Sequence, residues 1–144
     1  MMNIQRDTCL SELIACQNNG LVKVITGAHQ CGKTHLLFGL FRDHLRSEQV
    51  PDDHIIEMAF DLRENEKYRD PDVFFAYVTE RIRDEKQYYV LLDEVWLLGD
   101  FELILNSLMR RRNIDIYVTG SNAERLTRNI ITEFRGRCYR IHMC

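Results

Sequence analysis

The chain has little proline and no long apolar run. Its 144 residues include only two prolines and no low-complexity tract, which argues against long disordered linkers. No apolar stretch approaches the length that crosses a membrane, and residues 1–7 lack the apolar core of a signal peptide. The sequence therefore predicts one domain, no membrane partner and a cytoplasmic location.

Cysteine pairs at metal-ligand spacing are absent as well. The five cysteines, an odd number, are scattered and form no C-x-x-C motif. This pattern is not that of a disulfide framework or a zinc site, so we expect reduced thiols. Cys31 lies inside the motif described next, where we interpret it as a small filler residue. A redox-sensitive thiol is the alternative.

The strongest positive signal is a phosphate-binding P-loop motif near the start of the chain. Residues 27–34 fit the pattern G-x-x-x-x-G-K-[ST], with an apolar strand predicted before them and an apolar helix after them. Glycines allow several backbone N–H groups to point at one anion, and a helix N-terminus adds partial positive charge. The nucleotide-binding residues that we predict are Gly27, Ala28, His29, Gln30, Cys31, Gly32, Lys33, Thr34 and His35.

A second motif supplies carboxylates. An apolar strand over residues 88–92 ends in Asp93 and Glu94. In P-loop enzymes the first acid at this position holds Mg²⁺, and the hydroxyl of the P-loop, here on Thr34, binds the same ion. A second carboxylate directly after it is suited to activate water for attack on the γ-phosphate. We therefore predict Thr34 and Asp93 as metal ligands, and Glu94 and Lys33 as catalytic residues.

Two further groups of polar residues lie near the end of the chain. Ser121 and Asn122 follow the fourth predicted strand, where a polar side chain contacts the γ-phosphate or the attacking water; a helix cap and a turn are the alternatives. Arg135 precedes the fifth strand and is our candidate for an arginine finger, ahead of Arg137; a surface arginine is the alternative. A finger acts on a neighbouring subunit's nucleotide, so this interpretation implies a homo-oligomer.

Five apolar strands alternate with helices along the chain, which predicts an α/β fold with a parallel sheet and helices on both faces. Ligand sites in such sheets lie at the carboxyl ends of the strands, where every motif above falls. Asp100 is the predicted N-cap of the helix from residue 101, whose last turn we expect to contain Arg110–Arg112. The other predicted elements are strands at 21–26, 54–60, 88–92, 114–119 and 137–143 and helices at 7–18, 35–47 and 72–85.

The net charge of −3 is unevenly distributed, with acidic residues in excess over residues 1–100 and basic residues in excess beyond them. A nucleic-acid surface is one interpretation of the basic end. We favour a solvated helix end with nucleotide-facing arginines, because no aromatic side chains interleave as stacking platforms for bases. The predicted partner is therefore a nucleotide, and a nucleic acid is kept as the less favoured alternative.

In this order and spacing, the motifs resemble the AAA+-type ATPase domain of a prokaryotic group that is usually fused to a C-terminal nuclease-like domain. The resemblance implies a P-loop NTPase three-layer sandwich with sheet order 5-1-4-3-2, and ATP and Mg²⁺ as ligands. It implies that residues 1–144 are the ATPase core and that the family's C-terminal domain is absent here. The residues that carry it are 22–27, 31–34, 68–70, 91–94, 101–102, 106–108, 115–123 and 135–137.

The chain also departs from that group. His29 and Gln30 stand where the family usually has two arginines, which lowers the charge of the phosphate loop. Trp96 replaces a usual glutamine after the acidic pair, and we expect it to pack beside the site. Asp61, at the end of the second strand, is a candidate to hydrogen-bond Glu94 and gate it.

The sequence thus predicts a module that binds Mg²⁺-ATP and hydrolyses it. The alternative is a nucleotide-responsive binding module that does not hydrolyse ATP, or a fragment that requires a partner domain. Base recognition in such sites uses backbone and apolar contacts, so the choice of adenine over other bases stays open.

Overall fold

The five predicted strands are present and form one parallel sheet. The computed structural model describes residues 4–28, 32–121 and 138–143. The strands are β1 (Val22–Gly27), β2 (Ile55–Ala59), β3 (Tyr88–Asp93), β4 (Ile114–Gly120) and β5 (Cys138–Met143). They pair in the order β2-β3-β4-β1-β5, and every pair is parallel. Counted from the other edge, this is the predicted order 5-1-4-3-2, which is confirmed.

Helices connect β1 to β2, β2 to β3 and β3 to β4, as expected for an α/β chain. The α-helices are α1 (Ile4–Ala15), α2 (Lys33–His35), α3 (Arg42–Ser47), α4 (Pro71–Arg81) and α5 (Phe101–Met109). A π-helical segment, Leu36–Phe41, joins α2 to α3. Residues 33–47 therefore form one continuous helix, which we call the P-loop helix. Short 3₁₀ turns lie at Asp52–His54, Arg63–Arg69 and Val95–Leu97.

Apolar side chains cover both faces of the sheet. Helices α4 and α5 pack on one face, whose core includes Val24, Val90, Val118, Phe74 and Leu105. Helix α1 and the P-loop helix pack on the other, whose core includes Ile25, Leu91, Leu13, Leu37 and Phe41. A parallel sheet buried on both faces requires strands that are apolar almost throughout. This arrangement confirms the three-layer sandwich.

The helix boundaries correct the prediction at several ends. Helix α1 runs from Ile4 to Ala15 and not over 7–18, since Asn18 and Gly20 adopt φ angles of 60° and 81° in the following turn. Helix α4 ends at Arg81, because Ile82 is extended. Helix α5 ends at Met109, so Arg110–Arg112 follow the helix and are not in its last turn.

The helix caps differ from the prediction as well. Asp100 does precede α5, but its φ of 50° is left-handed and its side chain makes no capping hydrogen bond. Its carbonyl oxygen accepts from the N–H groups of Leu103 and Ile104 instead. The aspartate that caps a helix is Asp70, whose Oδ1 accepts from the backbone N–H groups of Asp72 and Val73 at 2.9 and 3.1 Å.

Candidate functional site

A cavity of about 360 Å³ lies at the carboxyl ends of the strands. Three residues of the P-loop motif and the residue after it meet three acids at or just after the ends of β2 and β3 around this cavity. Its lining residues are Gly32, Lys33, Thr34, His35, Asp61, Asp93 and Glu94. The sequence predicts six of these seven as ligand-binding, metal-binding or catalytic residues. The parallel register explains the convergence, because it brings the carboxyl ends of neighbouring strands to one edge.

The described part of the P-loop turns sharply into its helix. Gly32 has a φ of 100°, a left-handed conformation that favours glycine, and its carbonyl oxygen accepts from the N–H of Leu36 at 2.9 Å. The Lys33 side chain follows it and is buried. Its Nζ donates to the carbonyl oxygens of Gly27 (3.1 Å) and Ala28 (2.9 Å) and lies 3.4 Å from Ser121 Oγ. These acceptors are neutral, so the ammonium charge at the cavity wall is not cancelled by them.

Thr34 and Asp93 form a hydroxyl–carboxylate pair beside Lys33. Thr34 Oγ1 donates to Asp93 Oδ2 at 2.9 Å, and Thr119 Oγ1 donates to Asp93 Oδ1. Burial raises the pKa of Asp93; the two hydroxyl hydrogen bonds oppose that rise, and the charges of Asp61 and Glu94 add to it. A cation at this carboxylate would therefore relieve an unfavourable buried charge.

The donor set of Thr34 and Asp93 fits Mg²⁺. Hydroxyl and carboxylate oxygens are the ligands that this ion prefers, and it usually keeps several waters and substrate phosphate oxygens. Within the described ranges, no cluster of three or more His, Cys, Asp or Glu side chains is placed to hold a metal ion. A site that relies on one carboxylate, one hydroxyl and a phosphate does not need such a cluster.

Glu94 is held in place by several hydrogen bonds. Its backbone is left-handed (φ 52°), and its N–H donates to Thr119 Oγ1 at 3.1 Å. Its Oε1 accepts from the N–H of Ser121 at 2.8 Å and from Trp96 Nε1 at 3.2 Å, while its Oε2 accepts from Ser121 Oγ at 2.7 Å. Trp96 thus packs beside the site as expected and also donates a hydrogen bond that the sequence did not suggest.

Thr119 is the site residue that the sequence analysis missed. Its side chain is fully buried. Its hydroxyl donates a hydrogen bond to the carboxylate of Asp93 and accepts one from the backbone N–H of Glu94. The sequence signal that could have identified Thr119 is a hydroxyl residue near the end of β4, a mostly apolar strand. Leu92 pairs with Val118 in the sheet, so the next residue of each strand, Asp93 and Thr119, must be neighbours.

Several predicted residues lie outside the described ranges: His29, Gln30, Cys31, Asn122, Arg135 and Arg137. Their roles in phosphate binding, sensing and finger chemistry stay predictions. His35 is exposed in the first turn of the P-loop helix and borders the cavity. Asp61 borders the same cavity, and its gating contact with Glu94 stays a prediction too.

A second buried polar cluster lies at the opposite end of the strands, where β1 and β4 begin. Lys23 Nζ contacts Asp115 Oδ1 at 2.5 Å and donates to Leu21 O at 2.9 Å. Asp115 Oδ2 accepts from the hydroxyl of Tyr117 and from the N–H of Asn18. Burial lowers the pKa of Lys23 although Asp115 opposes this, and burial, then Asp115, raises the pKa of Tyr117. We call Lys23 and Asp115, together with their partners Leu21, Tyr117 and Asn18, the basal network.

The described part of the chain contains no helix that is both long and apolar enough to span a membrane. Arg110, Arg111 and Arg112 are exposed and follow α5.

Comparisons with known proteins agree with this fold. A family model described as AAA domain matches residues 19–144. An uncharacterized protein of Haemophilus influenzae is 30% identical over 135 residues, which is 93% of this chain and 34% of that protein. The chain therefore spans about a third of the length of this relative.

Solved structures show the same fold at low identity. PCH-2 of C. elegans matches with a TM-score of 0.66 and 18% identity, over 99% of this chain and 42% of that one. AMPPCP-bound DnaA of Aquifex aeolicus matches with a TM-score of 0.58 and 16% identity, over 99% of this chain and 46% of that one.

Proposed function

The chain belongs to the AAA domain family, and from that premise we propose that it binds Mg²⁺-ATP and hydrolyses it to ADP and phosphate. One observation carries the proposal. Lys33, Thr34, Asp93 and Glu94 line a single cavity at the N-terminus of the P-loop helix. A cation, a hydroxyl–carboxylate pair and a second carboxylate are the groups that phosphate binding, metal binding and water activation need.

Each residue has a role in this proposal. Lys33 leaves its loop carbonyl acceptors and binds the β- and γ-phosphates, while the N-terminus of the P-loop helix adds partial positive charge. Thr34 and Asp93 hold Mg²⁺, which supplies charge neutralisation on the phosphates when bound. Glu94 accepts a proton from the attacking water. Binding an anion and its metal beside Lys33 and Asp93 is favourable because both side chains are buried and poorly hydrated.

The residues outside the described ranges complete the proposal. Asn122 joins Ser121 in contacting the γ-phosphate or the water, and Arg135 acts as a finger on a neighbouring subunit's nucleotide, which requires a homo-oligomer. The fusion of this module to a nuclease-like domain, expected from the resemblance, also belongs to the proposal. The Haemophilus relative is long enough for further domains, since this chain spans about a third of it.

A second function is favoured by the two hydrogen bonds between Ser121 and Glu94. Glu94 is engaged through both carboxylate oxygens by Ser121, and a base held in this way is poorly placed to activate water. The chain would then be a nucleotide-responsive binding module with little turnover. Phosphate release separates the two functions, because both require nucleotide binding and only the first requires hydrolysis.

The test is a calorimetric titration of Mg²⁺-ATP into the purified chain, followed by phosphate release from the same sample. We expect saturable binding that weakens about 100-fold or more in Lys33→Ala. The control is Lys67→Ala, which removes an exposed lysine far from the P-loop in sequence. Glu94→Gln is expected to keep binding and to lose turnover about 100-fold.

The results of this experiment distinguish the two functions. Binding with turnover that Glu94→Gln removes supports the ATPase. Binding without turnover at any protein concentration supports the binding module. A flat titration for the wild-type chain contradicts both functions.

A further inference from the structure

The described wall of the cavity offers groups for phosphates and a metal but little for a nucleoside. Its three acids lie together on the metal side, because the charges of Asp61 and Glu94 act on Asp93. Among the described residues that line the cavity, only His35 carries an aromatic ring. The proposed function therefore accounts for the phosphate end of a nucleotide and leaves its sugar without a named partner.

His35 lies where the cavity opens to solvent. Successive side chains of a helix are turned by about 100°, so His35 points away from Thr34, whose hydroxyl contacts Asp93. Its side chain is exposed and still borders the cavity. Within the part of the chain that the structure describes, no hydrogen bond involves its ring nitrogens. A nucleoside that extends from the phosphates toward solvent would pass this side chain.

A glycine one turn along the P-loop helix makes room for the His35 ring. Gly39 lies four residues further, on the same face and within the π-helical segment Leu36–Phe41, a geometry frequent at functional sites. A methyl group on Gly39 would lie 3.0 Å from His35 Nδ1 and 3.2 Å from its Cε1. This edge of the ring therefore rests in a recess of bare backbone, which we call the Gly39 notch, and Nε2 lies on the far side of the ring.

The chemistry of Nε2 matches that of a ribose hydroxyl. An imidazole nitrogen donates or accepts a hydrogen bond according to its tautomer, and a hydroxyl does both, so the pair can form in either tautomer. Because the Gly39 notch holds the ring before a ligand arrives, binding costs little further side-chain entropy.

We propose that Nε2 of His35 hydrogen-bonds a ribose hydroxyl of the bound nucleotide, and that Gly39 positions the ring for this contact. The site then prefers a nucleotide with the complete ribose over one that lacks the contacted hydroxyl. The ribose contact rests on the proposed function and adds to it the part of the nucleotide that His35 recognises.

The experiment titrates the full chain with Mg²⁺-ATP, Mg²⁺-2′-deoxy-ATP and Mg²⁺-3′-deoxy-ATP in a calorimeter. We expect the wild-type chain to bind one deoxy analogue about fivefold more weakly than ATP, the value of one hydrogen bond. His35→Ala should weaken ATP binding by the same factor and should bind that analogue as it binds ATP. Ser47→Ala is the control, since Ser47 is exposed at the far end of the P-loop helix, and it should change none of these affinities.

Gly39→Ala tests the positioning role separately. Alanine favours a helix more than glycine does, so the free energy of unfolding should not fall. The affinity for ATP should fall about twofold or more, because the added methyl group displaces the ring. In a chain that already carries His35→Ala, the same substitution should not change the affinity further. A loss of affinity in both backgrounds would show that Gly39 acts on the helix itself and not through His35.

The same titrations separate failure of the ribose contact from failure of the proposed function. If ATP binds and the wild-type chain has the same affinity for both deoxy analogues, the ribose contact is wrong and nucleotide binding stands. If His35→Ala weakens ATP and both analogues equally, His35 contacts the phosphates or the base, and the ribose contact is wrong again. If Mg²⁺-ATP does not bind the wild-type chain, the proposed function fails and the ribose contact fails with it.

Discussion

Lys23 and Lys33 are both almost fully buried, and they lie near opposite ends of β1. Lys23, in the basal network, is ion-paired with Asp115, which two further donors also contact. Lys33 contacts only neutral oxygens among the described residues, and Asp93 is turned toward hydroxyls instead of toward it. A lysine and an aspartate thus form an ion pair at the amino end of the strands, whereas Lys33 and Asp93 at the carboxyl end do not contact each other.

This difference shows what a binding site requires beyond buried charge. A paired buried lysine has no electrostatic reason to attract an anion, because its partner already offsets the cost of burial. Lys33 is held by carbonyl oxygens, and Asp93 is a carboxylate whose pKa is raised. The electrostatic energy of both charges becomes more favourable when a phosphate and a cation bind between them. The basal network is therefore expected to govern stability, and the cavity to govern ligand binding.

The largest expected effect is on stability, from Asp115→Ala. The substitution leaves Lys23 charged, buried and unpaired, and it removes the acceptor of the Asn18 N–H and the Tyr117 hydroxyl. We expect a loss of about 3–5 kcal/mol in the free energy of unfolding, measured by urea denaturation. Asp53→Ala, at an exposed aspartate, is the control and should change it by less than about 0.5 kcal/mol. Equal effects of the two substitutions would remove the distinction between the sheet ends.

The matched change at the other end is Asp93→Asn. It should weaken Mg²⁺-ATP binding about tenfold or more, because a charged metal ligand is lost. The free energy of unfolding should fall by less than about 1 kcal/mol, since the new amide keeps an oxygen for a hydroxyl donor and ends the cost of burying a charge. Calorimetry and urea denaturation of one preparation give both values. A loss of stability as large as that of Asp115→Ala would contradict the comparison.

A smaller effect is expected from Tyr117→Phe. The substitution removes one hydroxyl donor, and Asp115 keeps its bonds from Lys23 and Asn18. We expect a loss of about 1 kcal/mol in the free energy of unfolding and no change in nucleotide affinity. Tyr139→Phe, whose hydroxyl donates to Glu12 at 3.2 Å, is the comparison variant and should cost less. A change in affinity with Tyr117→Phe would show that the two ends are coupled.

The last expected effect is a pH dependence of stability at Lys23. Its folded pKa lies below the ordinary value of 10.5 because it is buried. Between these two pKa values the unfolded chain holds a proton that the folded chain has lost, so stability rises with pH. Relative to Lys23→Met, the wild-type chain should gain stability as the pH rises from the folded pKa of Lys23 to its ordinary pKa of 10.5. The gain is at most about 1.36 kcal/mol per pH unit. Parallel pH profiles of the two chains would contradict this.

Much of the fold and part of the site followed from local sequence patterns. The strand–glycine–lysine run and the apolar strand ending in two acids are short patterns whose chemistry depends on adjacent residues. They located Gly32, Lys33, Thr34, Asp93 and Glu94, and the structure brings all five to one cavity. Helix ends were less well predicted, because a cap such as Asp70 depends on the geometry of a few residues and resembles many other aspartates in the sequence.

The contacts that the sequence did not reveal join residues far apart in the chain. Thr119 reaches Asp93 across 26 positions, Ser121 reaches Glu94 across 27, and Lys23 reaches Asp115 across 92. Lys23 and Asp115 each look like an exception inside an apolar strand until the parallel pairing of β1 with β4 places them together.

The sequence by itself determined the class of fold and located the residues of the proposed phosphate and metal site, because periodicity and the P-loop are encoded in neighbouring residues. The tertiary structure alone decided which buried charges are paired and which are available to a ligand. The physical reason is that the environment of a charged side chain depends on the register between strands, which decides which residue of the neighbouring strand lies beside it. The hydrogen bonds from Ser121 to Glu94 likewise form because the register of β3 and β4 brings the two residues together.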